Sequence, residues 1–378
     1  MGRAIGESRI LPVSDPSIPK ELFEENERTA PTQEGRRFVR IGPFRTESGG
    51  YLPDVTIAYE TWGRLEGEGE NAVLICHALS GDSHAVGWWS ALVGPGKAID
   101  TERYFVVCMN ALGGCQGSTG PSSPAEDGRP WGSRFPILTL GDVVEAHKRA
   151  LEKIGIRRLL AVAGGSMGGM QALEWTVRFP GLVDRAFVAA SCAAHTPMQI
   201  AFNEVARQAI QRDPKWRGGD YPPDDQPSDG LAVARMLGHL TYLSPESFER
   251  KFSRRLQSKD RFEFTLGVEF EVESYLKHQG EKFTRRFDAN SLLILTRAID
   301  YFQLRDLSAS TSRYLFVSFT SDWIYPSWQS QALAEMAWAA GLEAQHRVID
   351  LPYGHDSFLL DGERQGLLVD RFLRENRR

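Results

Sequence analysis

The apolar positions of this 378-residue chain fall in short continuous runs that alternate with segments of helical periodicity. Continuous apolar runs are typical of buried parallel strands, and apolar residues at every third or fourth position indicate amphipathic helices. Strands are predicted at 55–62, 72–76, 104–109, 159–163, 185–190, 314–320 and 347–351, and helices at 141–154, 170–178, 327–340 and 362–373. The pattern predicts an α/β fold with a mostly parallel sheet.

The alternation of strands and helices is interrupted between about residue 194 and residue 305, where only helical spacing occurs. Stripes of Met198, Ala201, Val205 and Ala209 and of Val233, Met236, Leu237 and Leu240 predict two of these helices, and Ser244-Pro245 begins another. Further helices are predicted at 271–283 and 288–304. We therefore expect a core of residues 1–193 and 306–378, with residues 194–305 inserted as an all-helical lid. The polar residues 1–35 are expected to form a loose arm.

The strand predicted at 159–163 ends at a Gly-x-Ser-x-Gly pattern formed by Gly164, Ser166 and Gly168, and a helix follows. Strand, tight turn and helix are the context of a nucleophile elbow, in which a strained turn exposes a serine hydroxyl at a helix N-terminus. The alternative is a glycine-rich turn with an incidental serine. The context favours Ser166 as a nucleophile.

A serine nucleophile needs a base and a carboxylate that orients the base. In proteins with this elbow, the acid follows the serine in the sequence and the histidine follows the acid. Of the histidines after Ser166, His355 lies in a loop after a late strand; the others lie in or next to the helical block or at the start of a strand, at His195, His239, His278 and His346. Asp322 follows the strand predicted at 314–320 and is the expected acid, with Asp350 as its rival. The backbone N–H groups of Leu79 and Met167 are expected to form the oxyanion hole.

The composition argues against several classes of partner and site. A formal net charge of -5 gives no reason to expect nucleic acid or an anionic membrane as a partner. No apolar run is long enough to span a membrane, and the first residues lack a secretory signal pattern. Four cysteines, at Cys76, Cys108, Cys115 and Cys192, fit no metal-ligand spacing. They predict structural thiols in a cytoplasmic protein with no bound metal.

Several blocks of the sequence resemble the homoserine O-acyltransferases of α/β-hydrolase fold. In the expected core they are HALSGD at 77–82, LGGCQGSTGP at 112–121, GGSMGGMQ at 164–171, SDW at 321–323 and GHD at 354–356. In the lid they are FNEVARQAI at 202–210 and RFDANS at 286–291. The resemblance extends over roughly residues 40–375. The glycine loop at 113–121 lacks both the P-loop and the dinucleotide-binding patterns, so it is interpreted as a wall of the cleft.

The resemblance implies a triad of Ser166, Asp322 and His355, and it implies that Arg207 and Asp356 hold the amino-acid acceptor. Homoserine is a zwitterion, so its carboxylate suits a guanidinium and its ammonium suits a carboxylate. The implied reaction is ping-pong acyl transfer from acyl-coenzyme A to the homoserine hydroxyl, in methionine biosynthesis. It uses no bound cofactor, and the apolar lid helices suggest a homodimer.

Ile324 indicates which acyl group is transferred. Succinyl-specific members of the resembled family carry arginine two residues past the triad aspartate, and here that position is Ile324. A succinyl carboxylate is costly to bury without a cation, so acetyl from acetyl-coenzyme A is favoured unless a cation comes from elsewhere. The alternatives are a homoserine or serine O-succinyltransferase, an esterase or thioesterase, and a non-catalytic binding protein of the same fold.

Overall fold

The computed structural model describes residues 10–11, 35–257 and 261–375. Within these ranges the strands are β1 (Ile10–Leu11), β2 (Arg37–Arg45), β3 (Tyr51–Trp62), β4 (Ala72–Cys76), β5 (Val93–Gly94), β6 (Ile99–Asp100), β7 (Phe105–Met109), β8 (Leu159–Gly165), β9 (Val183–Ala189), β10 (Arg313–Phe319) and β11 (Ala344–Ile349). The α-helices are α1 (Ala85–Trp88), α2 (Leu140–Lys153), α3 (Met167–Arg178), α4 (Pro197–Gln211), α5 (Ser228–Tyr242), α6 (Pro245–Phe252), α7 (Glu271–Thr284), α8 (Ala289–Tyr301), α9 (Ser327–Ala339), α10 (Ser357–Leu360) and α11 (Arg364–Arg374).

One sheet, in the order β1-β11-β10-β9-β8-β4-β7-β3-β2, organises the described residues. In this order the neighbouring strands from β1 to β7 pair in parallel, and β3 pairs antiparallel with both of its neighbours, β7 and β2. Strands β4 and β10 are buried along their whole length, as expected for parallel strands covered on both faces. The predicted α/β fold with a mostly parallel sheet is confirmed.

The sequence pattern missed the hairpin partner β2 at the sheet edge. Ile41 and Phe44 are its two buried residues, so it lacks the continuous apolar run that marked the inner strands. Two other positions differ from expectation. His346 lies within β11 instead of heading it, and Asp350 follows β11 instead of lying inside it. The Asp350 carboxylate accepts a hydrogen bond of 2.6 Å from the Thr320 hydroxyl.

The expected loose arm at residues 1–35 lies almost wholly outside the described residues. The exceptions are Gly35 and the two residues of β1, which pair with β11, so the expectation is wrong for Ile10 and Leu11. No helix of the described chain is long and apolar enough to cross a membrane. All four cysteines are free thiols.

Helices α4 to α8 lie between β9 and β10, in the segment expected to be the lid. A backbone bridge between Ala194 and Gln303 joins the two ends of this segment. The expected helix start at Ser244-Pro245 is present, and the Ser244 hydroxyl accepts a hydrogen bond from the Ser247 N–H at 3.0 Å. Helix α5 packs against both α4 and α7. The helical segment therefore has its own packing while remaining tied to the sheet at its base.

Candidate active site

Ser166 occupies the sharp turn between β8 and α3. Its φ is 56° and its ψ is -125°, a conformation that L-residues rarely adopt. The close approach around it requires glycine, because a Cβ at Gly168 would lie 2.0 Å from the Cys76 carbonyl oxygen and one at Gly164 would lie 2.3 Å from the Gly168 backbone. The expected strand, tight turn and helix are present, and the turn places Ser166 at the N-terminus of α3.

His355 and Asp322 form a buried hydrogen-bonded pair beside this turn. The His355 Nδ1 lies 2.7 Å from Asp322 Oδ2, and the other carboxylate oxygen accepts from the backbone N–H groups of Ile324 and Tyr325 at 3.2 and 2.8 Å. These bonds fix the carboxylate, which in turn holds the proton of His355 on Nδ1. His355 Nε2 is then available as a base.

Tyr325 packs against the base. Its ring stacks on the His355 ring with centroids 4.7 Å apart, its hydroxyl lies 2.7 Å from His195 Nε2, and it lines the same cavity as Ser166. Strands β8, β10 and β11 present Ser166, Asp322 and His355 from their carboxyl ends. This is the edge where active sites form in parallel sheets. The structure therefore brings the three expected triad residues to one place, whereas Asp350 bonds to Thr320 instead.

The expected oxyanion-hole groups lie in the loop after β4 and at the start of α3. In the part of the chain that the structure describes, neither the Leu79 N–H nor the Met167 N–H has an acceptor. The loop after β4 is held by His77, whose Nε2 accepts from the Ala111 N–H at 2.9 Å and whose Nδ1 lies 2.7 Å from the Ala78 oxygen. Burial lowers the pKa of His77, so its ring stays neutral and can make both bonds. His77 thus fixes the peptide that carries the Leu79 N–H.

Ser166 faces a cavity between the core and the helical segment. The side chains that line it are mostly apolar or uncharged, and they come from both sides: Leu79, Ser80, Ile324 and Tyr325 from the core, and Gln199, Phe202, Asn203, Tyr242, Phe283 and Leu292 among those of the helices. Arg235 is the charged side chain in the described lining. It is 7% exposed, and its guanidinium lies over the Phe283 ring, 4.8 Å from the centroid.

Arg207, which the resemblance implied as a substrate ligand, lies apart from the cavity lining. Its guanidinium is buried in ion pairs, 2.7 Å from an Asp300 oxygen and 3.0 Å from a Glu204 oxygen. Asp356 is buried next to His355. Burial raises the pKa of Asp356 to about 6, although the nearby charges of His355 and Arg235 oppose the shift. Asp356, like Arg207, is not among the described residues that line the cavity.

The sequence analysis missed Arg235 because it assigned α5 the wrong buried face. The expected apolar stripe includes Val233 and Leu240, which are 50% and 45% exposed, whereas Arg235 and His239 are buried. A signal was present in the sequence: Arg235 is a single cation between apolar residues of a helix that was expected to cover a serine nucleophile. Because an unpaired guanidinium is costly to bury, its position indicates an anionic ligand.

Comparison with known proteins agrees with this geometry. A family model described as alpha/beta hydrolase fold matches residues 71–361. A homoserine O-acetyltransferase of Solidesulfovibrio magneticus is 49% identical over 365 residues, which cover 89% of this chain and 92% of the relative. The chain belongs to the homoserine O-acetyltransferase family of the α/β-hydrolase fold.

Two solved structures carry the same fold at lower identity. A homoserine O-acetyltransferase from Bacillus anthracis superposes with a TM-score of 0.84 at 27% identity, covering 90% of this chain and 98% of that one. Esterase E22 superposes with a TM-score of 0.83 at 27% identity, covering 90% and 99%. The same fold therefore occurs both in a homoserine O-acetyltransferase and in an esterase.

Proposed function

We propose that this protein transfers the acetyl group of acetyl-coenzyme A to the side-chain hydroxyl of L-homoserine, as in methionine biosynthesis. The observation that carries the proposal is a Ser166–His355–Asp322 site whose cavity contains the Arg235 guanidinium, which has no carboxylate partner among the described residues, together with a carboxylate, Asp356, that is buried next to His355. A plain esterase has no need of a cation and an anion placed for a zwitterionic acceptor.

The reaction proceeds in two half-reactions. His355 Nε2 takes the Ser166 proton as Oγ attacks the thioester carbonyl, and the Leu79 and Met167 N–H groups hold the oxyanion. The C–S bond breaks, and coenzyme A leaves as the thiol with the proton from His355. His355 then takes the homoserine hydroxyl proton, the homoserine oxygen attacks the acetyl-serine carbonyl, and the proton returns to Ser166 as the ester product leaves.

Arg235, in place of Arg207, is proposed as the ligand of the homoserine carboxylate. Arg235 lines the cavity and lacks a carboxylate partner among the described residues, whereas Arg207 is already paired with Asp300. Asp356 is kept as the ligand of the ammonium group. An Asp–Arg pair of this kind recognises both charges of the zwitterion and leaves the side-chain hydroxyl free to approach Ser166.

Ile324 supports acetyl as the acyl group. Its side chain lies in the lining of the cavity beside Ser166 and offers no charge to a succinyl carboxylate. The cation in the described lining, Arg235, is assigned to the acceptor. An apolar wall at Ile324 also favours exclusion of water from the acetyl-serine.

The proposal is tested by thiol release from acetyl-coenzyme A and from succinyl-coenzyme A, each with and without L-homoserine or L-serine. We expect one equivalent of thiol per active site from acetyl-coenzyme A alone and continuous release only when L-homoserine is added. Continuous release without an acceptor would show a thioesterase. Faster turnover with succinyl-coenzyme A would overturn the acetyl assignment, and faster turnover with L-serine would overturn the homoserine assignment.

Arg235→Gln is expected to lower kcat/KM for L-homoserine by about 10- to 100-fold, because a charged hydrogen bond to the carboxylate is lost. Acetylation of Ser166, measured as the thiol burst without acceptor, should be unchanged. Arg207→Gln is the matched control: it breaks a buried ion pair and should lower the free energy of unfolding by about 3–5 kcal/mol, with a smaller effect on KM. A larger rise in KM from Arg207→Gln would return the carboxylate to Arg207.

Binding of L-homoserine should weaken as the pH falls below about 6, the pKa to which burial raises Asp356. Above this pH the Asp356 carboxyl is ionised and attracts the ammonium group, and below it the neutral acid does not. KM for L-homoserine should rise by about tenfold per pH unit below pH 6. The burst of acetylation, measured over the same pH range, is the reference, because that half-reaction involves no homoserine. In Asp356→Asn, KM should be high and independent of pH; a KM that still rises would exclude Asp356 as the titrating ligand.

We further propose that the helical segment 194–305 acts as a lid, and that the protein forms a homodimer through this segment in the cytoplasm. The support for the homodimer is that two helices of this segment have exposed apolar side chains. Met198 and Val205 of α4 are 64% and 56% exposed, and Val233 and Leu240 of the neighbouring α5 are exposed as well. These exposed apolar side chains are available to a second copy of the chain.

A further inference from the structure

A second cavity lies next to the one that Ser166 faces, and we call the two the outer and the inner cavity. The inner cavity has a volume of about 80 Å³. Sites for drug-sized ligands have about 300–1,000 Å³, so the inner cavity has room for the reacting groups but not for a whole coenzyme A molecule. The outer cavity has a volume of about 200 Å³, and the exposed residues Pro223 and Arg285 in its lining show that it opens to solvent.

The end of α7 and the loop that follows it separate the two cavities. Phe283 lines the inner cavity, and the next five residues, 284–288, line the outer cavity. Arg286 connects the two. It lines the outer cavity, and its Nη1 donates a hydrogen bond of 2.9 Å to the backbone oxygen of Ser80, which lines the inner cavity. A ligand in the outer cavity is therefore one side chain away from the cavity of the nucleophile.

The glycine loop of the core forms another part of the outer wall. Cys115, Pro121 and Ser122 line the outer cavity. Gln116 of the same loop holds Arg286 in place, because its Nε2 donates a hydrogen bond to the Arg286 backbone oxygen. The core and the helical segment thus build the outer cavity together.

Two guanidinium groups give the outer cavity positive charge. Arg285 is exposed and Arg286 is partly buried, and neither forms an ion pair with a carboxylate in the described part of the chain. Burial lowers the pKa of Arg286 to about 10, so the group stays ionised at neutral pH. Asp288 also lines the cavity, but its carboxylate already accepts from the Tyr221 hydroxyl at 2.6 Å and from the Ser291 N–H at 2.8 Å. The two guanidinium groups are therefore available to an anionic ligand.

We propose that the outer cavity binds the phosphate-bearing end of acetyl-coenzyme A through Arg285 and Arg286, and that the pantetheine arm passes Arg286 to bring the thioester to Ser166. Guanidinium groups suit phosphate oxygens because they form paired, charged hydrogen bonds with them. Gln226 adds an uncharged contact. Its Oε1 is buried without a hydrogen-bond partner among the described residues and suits an amide N–H of the arm. The inference rests on the proposed function, which gives the acyl donor but no place for its phosphates.

Two acyl donors separate phosphate binding from the chemical step. S-Acetylpantetheine carries the same thioester and arm as acetyl-coenzyme A but no phosphate. The quantity measured is kcat/KM for acetyl-coenzyme A divided by kcat/KM for S-acetylpantetheine, from thiol release in the presence of L-homoserine. We expect Arg285→Gln to lower this ratio by about three- to tenfold and Arg286→Gln to lower it by about 10- to 100-fold, since a charged hydrogen bond is worth more when it is less exposed. Loss of the Arg286 contact to Ser80 affects both donors alike and cancels in the ratio.

Arg212→Gln is the matched control, because it removes the same charge from the exposed residue that follows α4, which is outside the described lining of both cavities. Its ratio should equal that of the wild type. Higher ionic strength should raise KM of the wild type for acetyl-coenzyme A and leave KM for S-acetylpantetheine unchanged.

An unchanged ratio in both Arg285→Gln and Arg286→Gln, or an equal fall in Arg212→Gln, would overturn the inference while acetyl transfer to homoserine stands. The same holds for a KM for acetyl-coenzyme A that does not respond to ionic strength. A wild type that releases thiol from neither donor and acetylates no homoserine would overturn the proposed function as well.

Discussion

Ser166→Ala should abolish acetyl transfer while leaving the fold unchanged. Removing the nucleophile of a triad lowers kcat by about four to six orders of magnitude, because the base and the acid have nothing left to activate. Mixing the wild type with acetyl-coenzyme A in the absence of acceptor should add one acetyl group to the peptide that contains Ser166. Mass spectrometry of the digested protein locates the modification.

Ser80→Ala is the matched control for this experiment, since Ser80 lines the same cavity. Its backbone oxygen, and not its hydroxyl, accepts the 2.9 Å hydrogen bond from Arg286 of the helical segment, so the substitution keeps that contact. The control should retain the acetylated peptide and turnover within about an order of magnitude of the wild type. An acetyl group that persists in Ser166→Ala would refute Ser166 as the nucleophile.

Asp322→Asn is expected to lower kcat by roughly 10⁴-fold without preventing folding. The Asp322 carboxylate accepts from His355 Nδ1 at 2.7 Å and from two backbone N–H groups. An asparagine amide that keeps its oxygen on the backbone donors would turn its NH₂ group towards Nδ1. His355 would then carry its proton on Nε2, where it cannot accept the proton of Ser166. Both half-reactions should slow together, as measured by the thiol burst and by steady-state turnover.

Asp350→Asn is the control for Asp322→Asn: it shows whether the loss of activity is specific to Asp322 or follows from removing any carboxylate near the end of the sheet. Asp350 was the alternative acid in the sequence, and its carboxylate bonds to the Thr320 hydroxyl in the structure. The control should keep its activity close to that of the wild type. Comparable losses in Asp322→Asn and Asp350→Asn would show that the acid has been misassigned.

The outcome for the fold shows which signals a sequence carries. Inner strands such as β4 were predicted with their observed bounds, because burial on both faces demands an uninterrupted apolar run. The edge strand β2 has two buried residues among nine and no continuous apolar run, and it was missed. The two residues of β1 also escaped notice, since a pair with β11 this short leaves no periodicity to detect.

The outcome for the site separates local from long-range information. Ser166 could be located because glycine requirements, strand and helix all lie within a few residues of it. Asp322 and His355 could be selected because each follows a predicted strand, and parallel strands bring their carboxyl ends together. The roles of Arg207 and Arg235 could not be predicted in this way. Both residues lie on amphipathic helices, and the sequence does not indicate which surface each helix packs against.

By itself, the sequence determined the parallel sheet, the elbow at Ser166 and the order of acid and base, since these depend on local conformation and on the burial of continuous apolar runs. Only the tertiary structure decided which faces of the inserted helices turn inward. Apolar Val233 and Leu240 are exposed there, while Arg235 lines the cavity and Arg207 pairs with Asp300. The physical reason is that a cavity for a charged acceptor combines apolar walls with a few polar groups, so hydrophobic periodicity alone does not identify its lining.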